Sequence, residues 1–522
     1  MRRRHLLQTL FATVSMTQQR PGRASASASA SASARADLRA LSDQAWASGA
    51  FPGFQLAVLA ERRPLWSTAH GMADVSAAQP ATEETSYYIA STTKCFTALA
   101  AAQRAARGEL DLQASLAQLL PQVAWRPALQ AERITLRELL THTHGIAADS
   151  VPAQLRVNFS GVYRDNAELL QWWAQAAPSS EGKAFRYSNM GYDLAAMAMA
   201  PAGRDGWKME VQRDVLDTLG LRRSSPWRSR LDPATLAAPH VDSAQGWRSL
   251  PANKQDRNMG PAGGMFCTAS DLGRLIQALM DGGRLDGRRL LSAEVLDLML
   301  HRQVTQSRTV WGYERFGHSL GFDMARLHGQ EILTRLGSFR GAQSHLSFMP
   351  AQGLGIALLS NGDAVAGMAG ERLVTAIYQC LLGDPAGARL ALGEGLKQVQ
   401  QAQMQWRAAP PPAPVADWPL PPGALAGRYV DEQLGELELA WTGKALIARW
   451  GVLQSECNLR SADQRQWRVD WSGQGVLVEV LSDASDSVIG LRMMGRAWWR
   501  AVPATSDASV LAPGRASAGM RG

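Results

Sequence analysis
Apolar positions along this chain fall into short runs whose period changes from region to region. Leu38, Leu41 and Trp46 share one face of a 3.6-residue period, which predicts an amphipathic helix over residues 37–50. Residues 55–60 and 64–71 are short, largely apolar stretches separated by Glu61-Arg62-Arg63, the pattern of two strands joined by a charged turn. An apolar helix opens near Ser91, and mostly helical patterning continues to about residue 220. Leu272–Met280 is another helical repeat, closed by Gly282-Gly283. Strand-like runs return over about 332–360, and a last apolar helix covers about 365–382. Strands at both ends of this region with helices between them predict an α+β domain over 37–385, its antiparallel sheet built from both chain ends around a helical insertion.

The pattern changes twice outside that region. Residues 386–420 include Pro410-Pro411-Pro412-Ala413-Pro414 and read as an extended, semi-rigid interdomain linker. Residues 421–503 then alternate in short runs, among them Glu436–Trp441, Ala445–Trp450, Trp467–Trp471 and Val476–Val480, separated by turn residues. This spacing predicts a small all-β barrel or sandwich. Residues 504–522 read as a flexible tail. The alternating Ser/Ala repeat of residues 25–34 reads as a disordered low-complexity segment within a leader spanning 1–36.

Charge alters the picture only at that leader. The 522 residues carry a net charge of +8, but Arg2, Arg3, Arg4, Arg20, Arg23 and Arg35 supply six of these charges with no acid among residues 1–36. The remainder is nearly neutral, which argues against nucleic acid as a partner. Three arginines before the short apolar run 6–14, with small residues after it, have the layout of an export signal, so a periplasmic or secreted location is expected, with a cytoplasmic one left open. No run approaches the ~20 apolar residues of a membrane-spanning helix. The four cysteines show no paired spacing and read as core thiols.

Chemistry concentrates at Ser91-Thr92-Thr93-Lys94. A serine and a lysine three residues apart at the start of an apolar helix lie one above the other, putting an amine beside a hydroxyl. A serine is a weak nucleophile until a base takes its proton, and a lysine serves as that base only when burial or nearby cations lower its pKa. The alternative is a helix start with a capping serine. A second copy, Ser180-Glu181-Gly182-Lys183, sits in a polar, non-periodic stretch and reads as a loop. His142 and His144 form a weak metal pair without a third ligand nearby, so no metal or cofactor is expected. They read as polar scaffold, with Gly145 capping the preceding helix, and Asp271 reads as a helix cap.

Phe185–Tyr192 adds a Tyr-x-Asn element, Tyr187-Ser188-Asn189. With it, the chain resembles the serine β-lactamase and penicillin-binding-protein superfamily, and more narrowly its class C β-lactamase, D-aminopeptidase and EstB-type esterase branch. Flanking blocks match in order over 51 to about 385: Gly71–Asp74, Leu139–Gly145, Pro261–Leu272 and Gly353–Asn361. The resemblance implies a β-lactamase/transpeptidase-like α/β/α sandwich and a serine hydrolase acting through an acyl-enzyme on a small ester, amide or D-amino-acid peptide. It implies Ser91 as nucleophile, Lys94 and Tyr187 as shared general base, and Tyr187 as proton donor to the leaving group. The backbone N–H groups of Ser91 and Ser338 would form the oxyanion hole, with Gly337 admitting the substrate to the strand. Asn189 would bond Lys94 and the substrate; the plainer readings are a turn asparagine and, for Tyr187, a buried tyrosine with a satisfied hydroxyl.

One motif departs from the family. Arg335-Leu336-Gly337 stands where relatives carry Lys-Thr-Gly or His-x-Gly. A guanidinium cannot relay a proton but binds carboxylates in a fork, so a preference for carboxylate-bearing substrates is expected. Arg335 is also the one feature favouring a non-catalytic penicillin- or peptide-binding relative. The C-terminal β region is similar to the lipocalin-like domains of some family members. Because every named site residue precedes the proline-rich stretch, a chain ending near residue 400 is expected to fold and acylate alone. Oligomeric state is not legible in the sequence.

Overall fold
The structure, a computed structural model, describes residues 23–147, 155–200, 205–252, 254–310, 312–408, 420–461, 465–471 and 474–501. The run expected as an export signal and the expected tail from 504 lie outside the described residues.

The first helix, α1, runs over Arg23–Ala47 and so extends back through the Ser/Ala repeat that was expected to be disordered. Alanine is the best helix former, and propagation from a packed C-terminal half needs no fresh nucleation. Strands β1 (Gly53–Ala60), β2 (Arg63–Asp74) and β3 (Gln79–Pro80) follow. Helix α2 (Thr93–Ala106) opens the helical region, which includes α3 (Leu136–Leu140), α4 (Asn189–Met199) and α5 (Ala269–Met280). The sheet resumes with β4 (Val304–Val310), β5 (Tyr313–His318), β6 (Asp323–Leu327), β7 (Gln330–Phe339), β8 (Ala342–Met349) and β9 (Leu354–Ser360). Nine strands pair in the order β4-β5-β6-β7-β8-β9-β1-β2-β3, every pair antiparallel. Chain start and chain end thus meet at the β9–β1 pairing, as the sequence pattern predicted.

Helices cover both faces of this sheet, and the strands show it. Along β1, Phe54, Leu56 and Val58 enter one core with α1, while Ala57 and Leu59 enter the other with α2 and α5. Strand β9 divides likewise, with Ile356 and Leu358 on one side and Ala357 and Leu359 on the other. A strand buried on both faces reads as a continuous apolar run instead of alternating.

The expected linker is corrected over most of its length. Helix α6 (Ala364–Leu381) is followed at once by α7 (Pro385–Ala408), whose Ala388, Leu392, Leu396 and Val399 are buried against the α1 side of the sheet. Proline at the first helical position is compatible with a helix start. The consecutive prolines 410–412 lie outside the described residues.

Residues Gly427–Arg500 form a closed eight-stranded antiparallel barrel, which leaves no sheet edge open. Its interior holds Tyr429, Trp450, Trp467 and Trp498. The barrel is not separate from the first domain. Leu155, Phe159 and Val162 of the helical region pack against its core, and the Val452 N–H donates to the Ser160 carbonyl at 2.9 Å. This runs against the expectation that a chain ending near 400 stands alone, since truncation would leave those apolar side chains uncovered.

Candidate active site
The Ser91 turn is built by two opposed constraints. Ala90 takes φ +45°, a region that costs a non-glycine residue of order 1–3 kcal/mol. This strain carries the chain from the extended Tyr87-Tyr88 pair into a short 3-10 turn, Ala90–Thr92, and then α2. Ser91 stands at the mouth of the helix while Lys94, one turn on, is fully buried. Lys94 Nζ lies 3.2 Å from Ser91 Oγ, 2.7 Å from Asn189 Oδ1 and 2.5 Å from the Ala262 carbonyl. Tyr187 donates its hydroxyl to Ser91 Oγ at 2.8 Å. The structure therefore brings Ser91 and Lys94 together with Tyr187 and Asn189, about a hundred residues further along the chain.

Each partner is fixed by its own local structure. Asn189 is the first residue of α4, capped by Ser188, whose hydroxyl accepts the Gly191 N–H. A side chain at Gly191 would sit 2.8 Å from the Leu139 carbonyl, so glycine is what lets α4 lie close to α3. Tyr187 is half-buried and braced by His142. The His142 ring packs tilted against the Tyr187 ring at 4.7 Å, its Nδ1 accepts the Ser188 N–H at 3.1 Å, and its carbonyl accepts the Arg186 N–H. His142 takes φ +62° after α3, the left-handed position expected at Gly145, which also has positive φ but lies further along the loop. Asp271 is likewise not a cap: Thr268 caps α5, and the Asp271 carboxylate accepts from the Ser224 hydroxyl and the Arg223 N–H. The second tetrapeptide is a surface turn, with Lys183 exposed and paired to Glu138.

The third motif lies on β7. Strand β6 pairs with β7 only as far as Thr334, so residues 335–339 present a free edge over the Ser91 turn. Leu333, Arg335 and Gly337 share one face by strand alternation. A Cβ on Gly337 would lie 2.1 Å from the Ile89 carbonyl oxygen, 2.4 Å from Ser344 Oγ and 3.0 Å from the Ser91 nitrogen. Only glycine permits this approach. Arg335 is 1 % exposed; its Nε donates to the Ser91 carbonyl at 3.2 Å and its Nη2 to the Tyr187 hydroxyl at 3.4 Å. A cavity of about 300 Å3 opens along the free edge, touching Ser91, Tyr187, Arg335, Gly337 and Ser338. Arg308, Arg315 and Asp323 line it as well.

Electrostatics follow from burial and these neighbours. Burial lowers the Lys94 pKa to about 8; the nearby Tyr187 opposes the shift and Arg335 adds to it. Burial alone would raise Tyr187, but Lys94 and Arg335 together hold it at about 8. Two groups this close titrate as a pair. Burial, then the neighbouring His318, drive His142 well below the usual histidine range, so it braces Tyr187 as a neutral ring. Asp323 is buried, yet His318 and Arg315 hold its carboxyl well below the usual range; it ties Arg308, Arg315 and His318 beside the cavity.

The sequence marked His142 as polar scaffold without its partner Tyr187, and left Asp323 and its partners and two buried ionisable groups near Lys94, Asp193 and Lys254, unmarked. The Thr-His-Thr-His run carried a signal for the first. The others lie far apart in the chain and carried none. Among the described residues no cluster of His, Cys, Asp and Glu has the arrangement of a metal site, and no helix is long and apolar enough to cross a membrane.

Comparison with known families matches residues 38–378 to the beta-lactamase family. Penicillin-binding protein 4 of Amycolatopsis lactamdurans is 26% identical over 352 residues, 65% of this chain and 87% of that protein. Among solved structures, D-amino acid amidase from Ochrobactrum anthropi SV3 aligns with a TM-score of 0.56 at 18% identity, over 68% of this chain and 100% of the amidase. The octameric penicillin-binding protein homologue from Pyrococcus abyssi aligns with a TM-score of 0.54 at 18% identity, over 88% of this chain and 98% of that one. At those identities the structures speak for the fold, and the family match, spanning more than half the chain, settles the lineage: this chain belongs to the beta-lactamase family.

Proposed function
We propose that this protein is a serine hydrolase that opens ester or amide bonds through an acyl-enzyme on Ser91. The observation that carries this reading is the placement of Ser91 Oγ between two groups able to take its proton, Lys94 Nζ at 3.2 Å and Tyr187 Oη at 2.8 Å. Lys94 is held by Asn189 and Ala262, so its nitrogen cannot swing away from the serine. Ser91 attacks the carbonyl carbon as its proton passes to the Lys94–Tyr187 pair. Tyr187 returns a proton to the leaving oxygen or nitrogen. Water then repeats the sequence on the acyl-enzyme.

The N–H of Ser91, at the start of a helix, and that of Ser338, beyond the Gly337 contact, are the proposed oxyanion donors. A lost donor of this kind costs about 3–4 kcal/mol in the transition state. Arg335 contributes by holding Tyr187 toward its anion, and it remains a candidate partner for a substrate carboxylate. D-amino-acid amides or peptides and simple esters are the favoured substrate classes, the former because a structurally similar protein is a D-amino acid amidase. Export is part of the proposal, on the arginine-led leader.

The test is covalent labelling. A fluorophosphonate probe or a fluorescent penicillin should mark the wild-type protein and leave Ser91→Ala unmarked. Equal labelling of both would remove Ser91 from the mechanism. A panel of 4-nitrophenyl esters, D-amino-acid amides and a chromogenic cephalosporin then separates esterase, amidase and β-lactamase activity.

A further inference from the structure
Lys94 stands at one end of a buried polar chain that leads out to the barrel. Its ammonium donates to the Ala262 carbonyl and to Asn189 Oδ1, and Asn189 opens the helix that carries Asp193. Asp193 is fully buried on α4, one turn beyond Asn189. Its Oδ2 accepts the side-chain amide of Asn158 at 3.3 Å. Asn158 lies in the helical turn Arg156–Ser160, and its carbonyl accepts from Lys254.

That turn is gripped from the barrel side. Val452 donates to the Ser160 carbonyl, and a Cβ on Gly451 would come within 2.1 Å of the same oxygen and 2.5 Å of Val162 Cγ2. Phe159 joins the barrel core while its ring sits 5.7 Å from Phe339, the residue after Ser338. The barrel therefore fixes where Asn158 stands, and Asn158 fixes Asp193.

A carboxylate in a helix core costs several kcal/mol unless it is compensated. An apolar residue would pack α4 without that cost, so Asp193 calls for an explanation beyond packing. We propose that Asp193 is a positioning residue for Lys94, and that the barrel, through the Arg156–Ser160 turn, holds it in place, making the C-terminal domain part of the catalytic apparatus. The kinetic half of this inference rests on the serine-hydrolase reading; the mechanical half does not.

The charged and titratable groups facing Lys94 are Tyr187, Tyr192, Arg335, His142 and Asp193, and those facing Asp193 are Lys94 and Lys254. The Asp193 charge favours protonated Lys94. Asp193→Asn removes it, so Lys94 loses its proton at lower pH and the acid limb of kcat/KM moves down, by about 1 pH unit for one neighbouring charge. Gly451→Ala pushes the barrel turn off Ser160 and loosens Asn158. Asp193, already raised to about 7 by burial, then holds its proton more strongly, and the limb moves in the same direction. The double variant should show no further shift, because both act through one carboxylate. Asn158→Ser tests the same link without touching the barrel, should Gly451→Ala fail to fold.

Hydrogen exchange of the full chain supplies the readout that needs no activity. Segments containing 156–160 and the α4 turn around Asp193 should exchange faster in Gly451→Ala and Asn158→Ser than in wild type. Shifted limbs with faster exchange support the inference. Unchanged exchange around Asp193 in both variants overturns the mechanical link, whatever the enzyme does. A wild-type protein that labels on Ser91, with Asp193→Asn keeping the wild-type limb, overturns the kinetic role alone. A wild-type protein that never labels defeats the hydrolase reading and with it that role, while exchange still decides the link.

Discussion

Gly337→Ala tests the site most sharply, because the structure specifies what the added methyl meets. The new Cβ would lie 2.1 Å from the Ile89 carbonyl oxygen and 2.4 Å from Ser344 Oγ. Ordinary carbon contacts begin beyond 3 Å, so the overlap is about 1 Å. Ser344 Oγ cannot rotate away freely, since it donates to the Ile89 carbonyl at 2.7 Å and pairs with Thr92 Oγ1 at 2.8 Å. The Ile89 oxygen is backbone, in a turn already strained at Ala90. Relief must therefore come from β7 moving away from the Ser91 turn by roughly the overlap. Overpacking of this kind costs about 1–3 kcal/mol of stability, and a displacement near 1 Å at a reacting centre can cost about 100-fold in rate. The expected outcome is a folded protein with a modestly lower melting temperature and kcat down by about two orders of magnitude, the loss appearing equally in the rate of fluorophosphonate labelling. Gly273→Ala on α5 is the control: its Cβ would meet Leu59 and Ala57 at 3.6 and 3.7 Å, ordinary contacts, and the helix gains about 0.5–1 kcal/mol. Steady-state hydrolysis of 4-nitrophenyl acetate, labelling kinetics and thermal unfolding on the same preparations give the answer. A Gly337→Ala protein with wild-type kcat would refute the claim that the β7 edge must press against Ser91 for catalysis.

Other outcomes are as definite. Because Lys94 and Tyr187 must shed a proton to act as base and both titrate near 8, kcat/KM should rise with pH through about 8 and level off above it; a profile flat from pH 6 to 10 would contradict the shared-base role. Arg335 lowers the pKa of both groups, so Arg335→Ala should move that rise to higher pH; an equal loss on neutral and carboxylate-bearing esters would confine Arg335 to this electrostatic role, and a greater loss on the latter would add carboxylate recognition. Ser180→Ala and Lys183→Ala should leave turnover unchanged, as Lys183 is an exposed surface cation paired to Glu138; inactivation by either would mean the wrong tetrapeptide has been assigned. A chain ending at residue 408 should aggregate or lose activity, since Leu155, Phe159 and Val162 lose their cover; a soluble, fully active truncation would refute the shared core.

Sequence alone carried this protein a long way. The order of strands, helices and returning strands is a local record of period, and it predicted a sheet closed from both chain ends. The barrel was legible because short alternating runs admit few closed arrangements. Ser91 and Lys94 stood out because an i, i+3 pair on a helix is a local geometry, whereas Tyr187 and Asn189 came in only through the family resemblance that their short motif carries. Where local reasoning faltered, the competing force was tertiary. The stretch 385–408 carries enough apolar residues to dock as a helix against α1 and α6, which its neighbouring prolines obscured. The left-handed residue after α3 is His142, held there by its bonds to the Ser188 and Arg186 N–H groups and by packing against Tyr187.

What only the folded chain decided is which distant groups share a low-dielectric space. Nothing in the local sequence pattern relates Lys94 to Asp193, nor Val452 to Ser160. Yet the pKa of the Lys94–Tyr187 pair is set by the burial and charge of those neighbours, and the barrel meets the helical region because the Arg156–Ser160 turn packs into both domains. Covalent spacing along a helix or strand fixes which groups stand side by side within a few residues. Burial and Coulomb interaction depend on separation in space, which for residues a hundred or more positions apart is a property of the packed structure.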